Sequence, residues 1–333
     1  MSGAQGLQLE YVATAQAREG WRDTLGAALY GAAAGEADAA LPAEVPHVAV
    51  RMPVLQSVGP LLERWRAGPG VRYGHVGAVR LAHTADLVFG ALEAAEGADE
   101  AARSGLETVT EWAYRQIHAA LEASGHAHLV RVWNYLPRIN TETRGLERYR
   151  QFNIARQRAL IACGREVHGN VPAASALGSQ DGPLVIYFLA AREAPRFIEN
   201  PRQMSAYHYP PEYGERAPSF SRATLIERAG RRLLFLSGTS SIVGHRTLHA
   251  GDAAAQTRET LTNIEALLGQ AGGFGLGELA YKIYVRRPED LGQIRREVDA
   301  ALGARPQRVY LQADVCRGDL AVEIEAAGGC GGP

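Results

Sequence analysis

The chain has 333 residues, 46% of them hydrophobic and 21% charged, ordinary proportions for a globular protein with material for two domains or one large one. With 35 basic against 36 acidic residues the formal charge is −1, which excludes recruitment of nucleic acid or an anionic membrane by bulk field. Cys163, Cys316 and Cys330 are odd in number and lack metal-ligand spacing, no basic segment with an apolar core opens the chain, and no apolar run reaches membrane-spanning length; together these predict a cytoplasmic protein.

In chain order, residues 1–46 are rich in Ala and Gly, with one short strand expected at 7–13. Strands are predicted at 47–52 and 71–81. Val109, Trp112, Ala113, Ile117, Ala120 and Leu121 recur at helical spacing, so 107–123 reads as an amphipathic helix ending before Gly125. A strand at 129–137 stops at Pro137, a second helix spans 145–163, and a strongly apolar strand spans 184–191. Residues 195–218 are rich in Pro, Tyr and Arg and read as an ordered linker. Then come a helix at 256–270, a strand at 279–285, a helix at 289–302 and a hairpin of 309–311 with 320–322 around Arg317-Gly318-Asp319. The order helix, strand, Pro, helix, strand thus occurs twice, predicting an α+β protein made by duplication. The expected domains are 1–195 and 218–333, joined by 196–217. Aligning the two apolar strands sets Tyr187 opposite Glu323, so one active site per chain is expected, in the second copy.

Alternation in the last strand puts Glu323 and Glu325 on the face opposite Val322 and Ile324. If that face is buried, a carboxylate there must be paired or protonated, and burial raises its pKa into the range of a general acid; if the strand lies at an edge, both point to solvent. Glu323 is expected to matter more than Glu325. Lys282 is the sole lysine, and as a strand residue it is expected to point outward. Tyr149 and Arg156 lie two turns apart on one helix face, suited either to clamp a carboxylate or to form a solvated basic face. Tyr207 and Tyr209 read as packed aromatics, and Arg308 starts the strand expected to pair with the one bearing Glu323. The 236–244 segment is rich in Ser, Thr and Gly but lacks the Gly-Lys-Ser/Thr ending of a phosphate loop. No His-Glu-x-x-His, Cys-x-x-Cys or dinucleotide fingerprint appears, so no metal and no cofactor is expected.

Several blocks resemble known families. From 233 to 328, Gln256-Thr257, Asn263-Ile264, Ala271-Gly272, Tyr281-Lys282-Ile283-Tyr284-Val285 and Arg308 upstream of Val322-Glu323-Ile324-Glu325 resemble the Rid/YjgF family, whose matching Arg binds a substrate carboxylate and whose matching Glu positions water. Longer blocks, Val132-Trp133-Asn134-Tyr135-Leu136-Pro137, Gly145-Leu146-Glu147-Arg148-Tyr149-Arg150-Gln151-Phe152, Tyr209-Pro210, Pro218-Ser219-Phe220 and Ser237-Gly238-Thr239-Ser240-Ser241, are similar to the chorismatases, which release pyruvate from chorismate. The resemblance implies two Rid/YjgF-like (chorismate-mutase-like) units, with mixed sheets covered by helices, in a monomer. It implies catalytic roles for Glu323, Cys316 and Gly238, and substrate contacts from Tyr149, Arg156, Tyr209, Arg308, Arg148 and Arg222. Gly at 238 and Cys at 316 imply the branch that forms 3-hydroxybenzoate. The rival readings are a hydrolytic chorismatase, a Rid-type enamine/imine deaminase, and a catalytically silent ligand-binding protein.

Overall fold

In a computed structural model describing residues 6–17, 19–32, 41–57, 59–228 and 230–331, the chain forms three principal sheets. The first contains β1 (Gln8–Ala13), β2 (Thr24–Tyr30), β3 (His47–Val50) and β4 (Leu61–Arg66), in the order β1-β4-β2-β3. The second unit runs β5 (Arg72–Val76), β6 (Val79–His83), β7 (Leu87–Ala94), α1 (Gly105–Ser124), β8 (His128–Pro137), the short pair β9 (Glu142–Thr143) and β10 (Leu146–Glu147), α2 (Arg148–Ala162), β11 (Ala173–Ser179) and β12 (Leu184–Ala191). Its sheet order is β11-β8-β12-β7-β6-β5. The third unit runs β13 (Arg196–Ile198), β14 (Ala223–Arg228), β15 (Arg231–Thr239), the short pair β16 (Ile242–Val243) and β17 (Arg246–Thr247), α3 (Ala253–Ala271), β18 (Ala280–Val285), α4 (Leu291–Leu302), β19 (Arg308–Gln312) and β20 (Val322–Gly331). Its order is β13-β14-β15-β20-β18-β19. No described helix is long and apolar enough to cross a membrane.

Local sequence explains the element ends. Ser104 accepts a hydrogen bond from the Glu107 amide at 3.1 Å and caps α1, which Gly125 closes in the left-handed region; Asp252 caps α3 in the same way through the Ala255 amide. The apolar faces of α1 and α4 bury Ile117 and Leu121, and Ile294 and Val298. The continuous apolar run of β12 is buried at every residue because both faces of that sheet are covered.

The duplication is visible in the strand pairing. In the second sheet β11 and β8 are parallel and β12 runs antiparallel to both β8 and β7; in the third, β19 and β18 are parallel and β20 runs antiparallel to both β18 and β15. Tyr187 faces Trp133 where Glu323 faces Tyr284, which matches the alignment of the two apolar strands. The first sheet repeats the same four-strand centre: β3 and β2 are parallel, and β4 is antiparallel to β2 and to β1. This abbreviated third copy occupies a region whose sequence carries no helical periodicity to announce it.

Three expectations are corrected. The hairpin of 309–311 with 320–322 does not form, since β19 pairs in parallel with β18 through the α4 crossover and β20 lies on the other side of β18. The strand expected at 71–81 is a hairpin, β5 with β6, turning at Gly77, whose φ of 54° suits glycine. Residues 196–198, placed in the linker, already pair with β14 as β13.

Lys282 is also corrected. It is fully buried where the three sheets meet, with Nζ 2.5 Å from Glu63 and 2.9 Å from Glu325. Arg131 pairs with Glu325 at 2.7 Å, and the Trp133 indole donates to the other Glu325 oxygen at 2.7 Å. The hydroxyls of Tyr30 and Tyr187 lie 2.9 and 3.1 Å from Nζ. Two cations and two carboxylates therefore balance, each buried charge having both a counter-ion and hydrogen bonds. Neither Lys282→Met nor Glu325→Gln leaves that balance intact, and each should cost about 3–5 kcal/mol of stability in urea denaturation. The double variant, which removes one charge of each sign, should cost less than the sum.

Candidate active site

Glu323 stands on β20 two residues before Glu325, on the same face, yet its surroundings differ. Among the described residues no Lys, Arg or His nitrogen forms an ion pair with it, and it is almost wholly buried. Burial pushes its pKa up to about 8, the ionised Glu325 adding to the rise while Arg131, Ser240 and Arg222 oppose it. Burial would raise Glu325 too, but Lys282 and Arg131 prevail and hold it below the ordinary carboxylate range. One strand face thus presents an ionised carboxylate and, next to it, a carboxyl that keeps its proton at neutral pH.

The backbone makes room for that carboxyl. β15 and β20 slip register between Leu236 and Thr239, a bulge that holds Ser237 and Gly238. A Cβ at Gly238 would sit 1.8 Å from Glu323 Oε1. The Gly238 amide donates to Ser175 Oγ at 3.0 Å, and that hydroxyl donates to Glu325 Oε2 at 2.7 Å, so the bulge is tied to the charged core.

Glu323 and Gly238 open on a cavity of about 300 Å³, whose lining includes Tyr149 from the first turn of α2, Tyr209, Tyr213 and Arg222 from the 199–222 segment, and Cys316 with Arg317 from the loop before β20. Burial drives the Tyr149 phenol upward and the Cys316 thiol to about 12, with Glu323 contributing to the latter, so both are neutral groups. Arg222 is buried, forms no ion pair with a described residue, and hydrogen-bonds Met204 O and the Tyr209 hydroxyl at 2.7 and 2.8 Å; its Nε has no partner. Arg317 lies over the Tyr213 ring at 4.1 Å, donates to His245 O at 2.8 Å and keeps Nη2 unpartnered. Two guanidinium groups with donors to spare thus face a pocket that also holds a protonated carboxyl.

Six of the nine residues singled out in the sequence meet here: Glu323, Gly238, Cys316, Tyr149, Tyr209 and Arg222. Three do not line this pocket. Arg148 is held inside the second unit by Glu96 and by Pro137 O. Arg308 is committed to Asp299 at 2.7 Å on the far side of the third sheet, because β18 separates β19 from β20. Arg156 lines an adjoining cavity, with Nη2 2.9 Å from Asn153 Oδ1. Tyr207 packs against His208, as expected of it, whereas Tyr209 lines the pocket. Arg317 escaped notice because the Arg317-Gly318-Asp319 segment read only as a turn. Cys163 is a free thiol, and the Cys330 side chain lies outside the described residues.

The pocket sets a buried carboxyl of raised pKa beside two arginines, an arrangement chemically suited to proton donation to a small anion. Residues 63–190 match the family described as chorismatase FkbO/Hyg5-like, N-terminal. A 3-hydroxybenzoate synthase of Streptomyces hygroscopicus is 37% identical over 84% of this chain and 84% of its own length, and a chorismatase of Streptomyces rapamycinicus is 38% identical over 79% and 80%. A crystal structure of a chorismatase superposes with a TM-score of 0.87 at 32% identity, covering 98% of this chain and 99% of that one. The chain belongs to the chorismatase family.

The raised pKa of Glu323 has a thermodynamic consequence. The folded protein holds a proton up to about pH 8 that the unfolded chain releases near 4.5, so this contribution to stability is full below 4.5 and is lost as pH rises through 8. Glu323→Gln, which cannot ionise, should therefore become more stable than the parent by a few kcal/mol as pH climbs across that window, read by chemical denaturation at several pH values. Gly238→Ala should displace the Glu323 carboxyl and lower turnover by about 100-fold, with folding retained by circular dichroism.

Proposed function

We propose that this chain converts chorismate to 3-hydroxybenzoate and pyruvate, with Glu323 as the general acid. The observation that carries the reading is the pairing of one protonated, buried carboxyl with two arginines that form no close ion pair with a described residue. Chorismate presents two carboxylates and an enolpyruvyl ether. Arg222 and Arg317 supply a cation for each carboxylate, and the cavity is of the size that takes a small metabolite.

Chemistry then follows from proton position. Glu323 delivers its proton to the enol methylene carbon, which makes the ether carbon an oxocarbenium and the ether oxygen a good leaving group. The C4 hydroxyl attacks C3, the C3–O bond breaks, and pyruvate departs with the ether oxygen as its ketone. The proton lost from that hydroxyl returns to the Glu323 carboxylate, after which the C4–O bond of the strained cyclic ether breaks, the hydrogen on C3 leaves as a proton, and the oxygen left on C3 takes up a proton to give the aromatic phenol. The two products together contain the atoms of chorismate, so no water is consumed. Gly238 offers no side chain and Cys316 only a neutral thiol, so neither holds a water firmly at the ring, which supports internal attack over the hydrolytic route. The deaminase reading loses its principal support, since Arg308 is turned to Asp299.

Arg222→Ala and Arg317→Ala should each raise KM for chorismate by about 10- to 100-fold in a lactate-dehydrogenase-coupled assay. Lysine should restore little at either position. Turnover in ¹⁸O-water, with pyruvate reduced at once to lactate, should leave both products unlabelled. Label in the lactate carbinol oxygen, or a dihydroxycyclohexadiene as the ring product, identifies water as the nucleophile and the hydrolytic branch.

A further inference from the structure

Between the charge cluster and Glu323 stands a hydroxyl that the chemistry above does not use, that of Ser175 on β11, the edge strand of the second sheet. The residue is buried, and the one donor and two acceptor positions of its hydroxyl are all engaged. The oxygen accepts from Arg131 Nη2 at 2.5 Å and from the Gly238 amide at 3.0 Å, and the hydrogen goes to Glu325 Oε2 at 2.7 Å. The next residue back repeats the arrangement. The Ala174 amide donates to Ser237 Oγ at 2.8 Å, and the Ser237 hydroxyl passes its own hydrogen to Ser221 O at 2.6 Å. Consecutive residues of β11 therefore hold the consecutive residues, Ser237 and Gly238, that make the bulge in β15.

The Gly238 amide has a second acceptor close by. The position a Cβ would take on Gly238 is 3.1 Å from Ser175 Oγ and 1.8 Å from Glu323 Oε1, so the hydroxyl and the carboxyl flank the same glycine. A backbone N–H given to a carboxyl favours its ionised form, whereas a general acid must arrive with its proton in place. We propose that Ser175 is a positioning residue for Glu323: by taking the Gly238 amide hydrogen it withholds that donor from the carboxyl and leaves the acid its proton. The inference rests on Glu323 as the general acid. The hydroxyl has two further effects of the same sign. It donates to Glu325, the carboxylate whose charge opposes ionisation of Glu323, and it engages a nitrogen of Arg131, a cation that favours that ionisation. The other charged and titratable groups around Glu323 are Arg222, Arg317, Cys316 and Tyr149 in the pocket and Tyr284 opposite it on β18. None of these is bonded to the Ser175 hydroxyl, whose positions are all taken by Arg131, Gly238 and Glu325.

Ser175→Ala removes the acceptor, Ser175→Cys keeps the shape with a much weaker one, and Ser175→Thr retains the hydroxyl. Infrared difference spectra of each full-length variant against the same variant carrying Glu323→Gln give the titration midpoint of the Glu323 carboxyl, which stands at about 8 in the parent protein. In Ser175→Ala and Ser175→Cys the midpoint should fall by about one pH unit. The basic limb of the kcat/KM profile, followed by pyruvate release from chorismate, should fall with it, so that activity drops about twofold near pH 7 and about fivefold near pH 8. Ser175→Thr should restore both readings. A midpoint within about 0.3 pH units of the parent in both Ser175→Ala and Ser175→Cys overturns the assignment, and a loss of activity by the same factor at every pH then marks a packing defect. A midpoint that falls while the activity profile stays in place upholds the hold of Ser175 on the Gly238 amide and counts instead against Glu323 as the acid, so the two failures are told apart.

Discussion

The interaction on which the rest depends is the buried charge cluster of Lys282, Glu63, Glu325 and Arg131. Its members come from all three sheets: Glu63 from β4, Arg131 from β8, and Lys282 with Glu325 from β18 and β20. Isolated buried ions are expensive, so Glu63 and Arg131 gain their counter-ions only when the first and second sheets dock on the third. The cluster therefore specifies how the three repeats close on one another, with Trp65, Trp133, Tyr187 and Phe235 filling the space around it.

The same cluster sets the protonation of Glu323. By strand register the positions equivalent to Glu325 are Leu189 and Glu63, and those equivalent to Glu323 are Tyr187 and Leu61. Only the third sheet carries both carboxylates. Glu325 is ionised because two cations hold it so, and that fixed negative charge, with the apolar surroundings, keeps the proton on Glu323. Gly238 then leaves the carboxyl open to the cavity where a side chain would press on it. The paired structural charge and the protonated carboxyl are consecutive residues of one strand face, which is why a substitution at Glu325 reaches beyond the residue itself.

Much of this was legible in the sequence. Helical spacing and Gly125 located α1 to within two residues at each end, and the apolar run at 184–191 gave β12 as it stands. The duplication and the alignment of Tyr187 with Glu323 were readable from two short apolar strings. What stayed hidden depends on long-range docking. A lone strand lysine looks like a surface residue until two other sheets bring it Glu63 and a ring of tyrosines. Arg308 looked close to Glu323 because the two are near in sequence and read as hairpin partners, whereas the parallel crossover through α4 sends it to the opposite side. Arg148 and Arg156 illustrate the converse, since helical periodicity gives a face but not which cavity that face meets.

The central claim is that Glu323 is protonated at neutral pH because it is buried beside an ionised carboxylate. Infrared difference spectra between the parent protein and Glu323→Gln, recorded from about pH 6 to about pH 10, isolate the carboxyl stretch of this one residue. The account predicts a protonated carboxyl band that persists at neutral pH and gives way to carboxylate near pH 8. A residue already ionised at about pH 6 would contradict it, because no proton would then be held for delivery to the substrate.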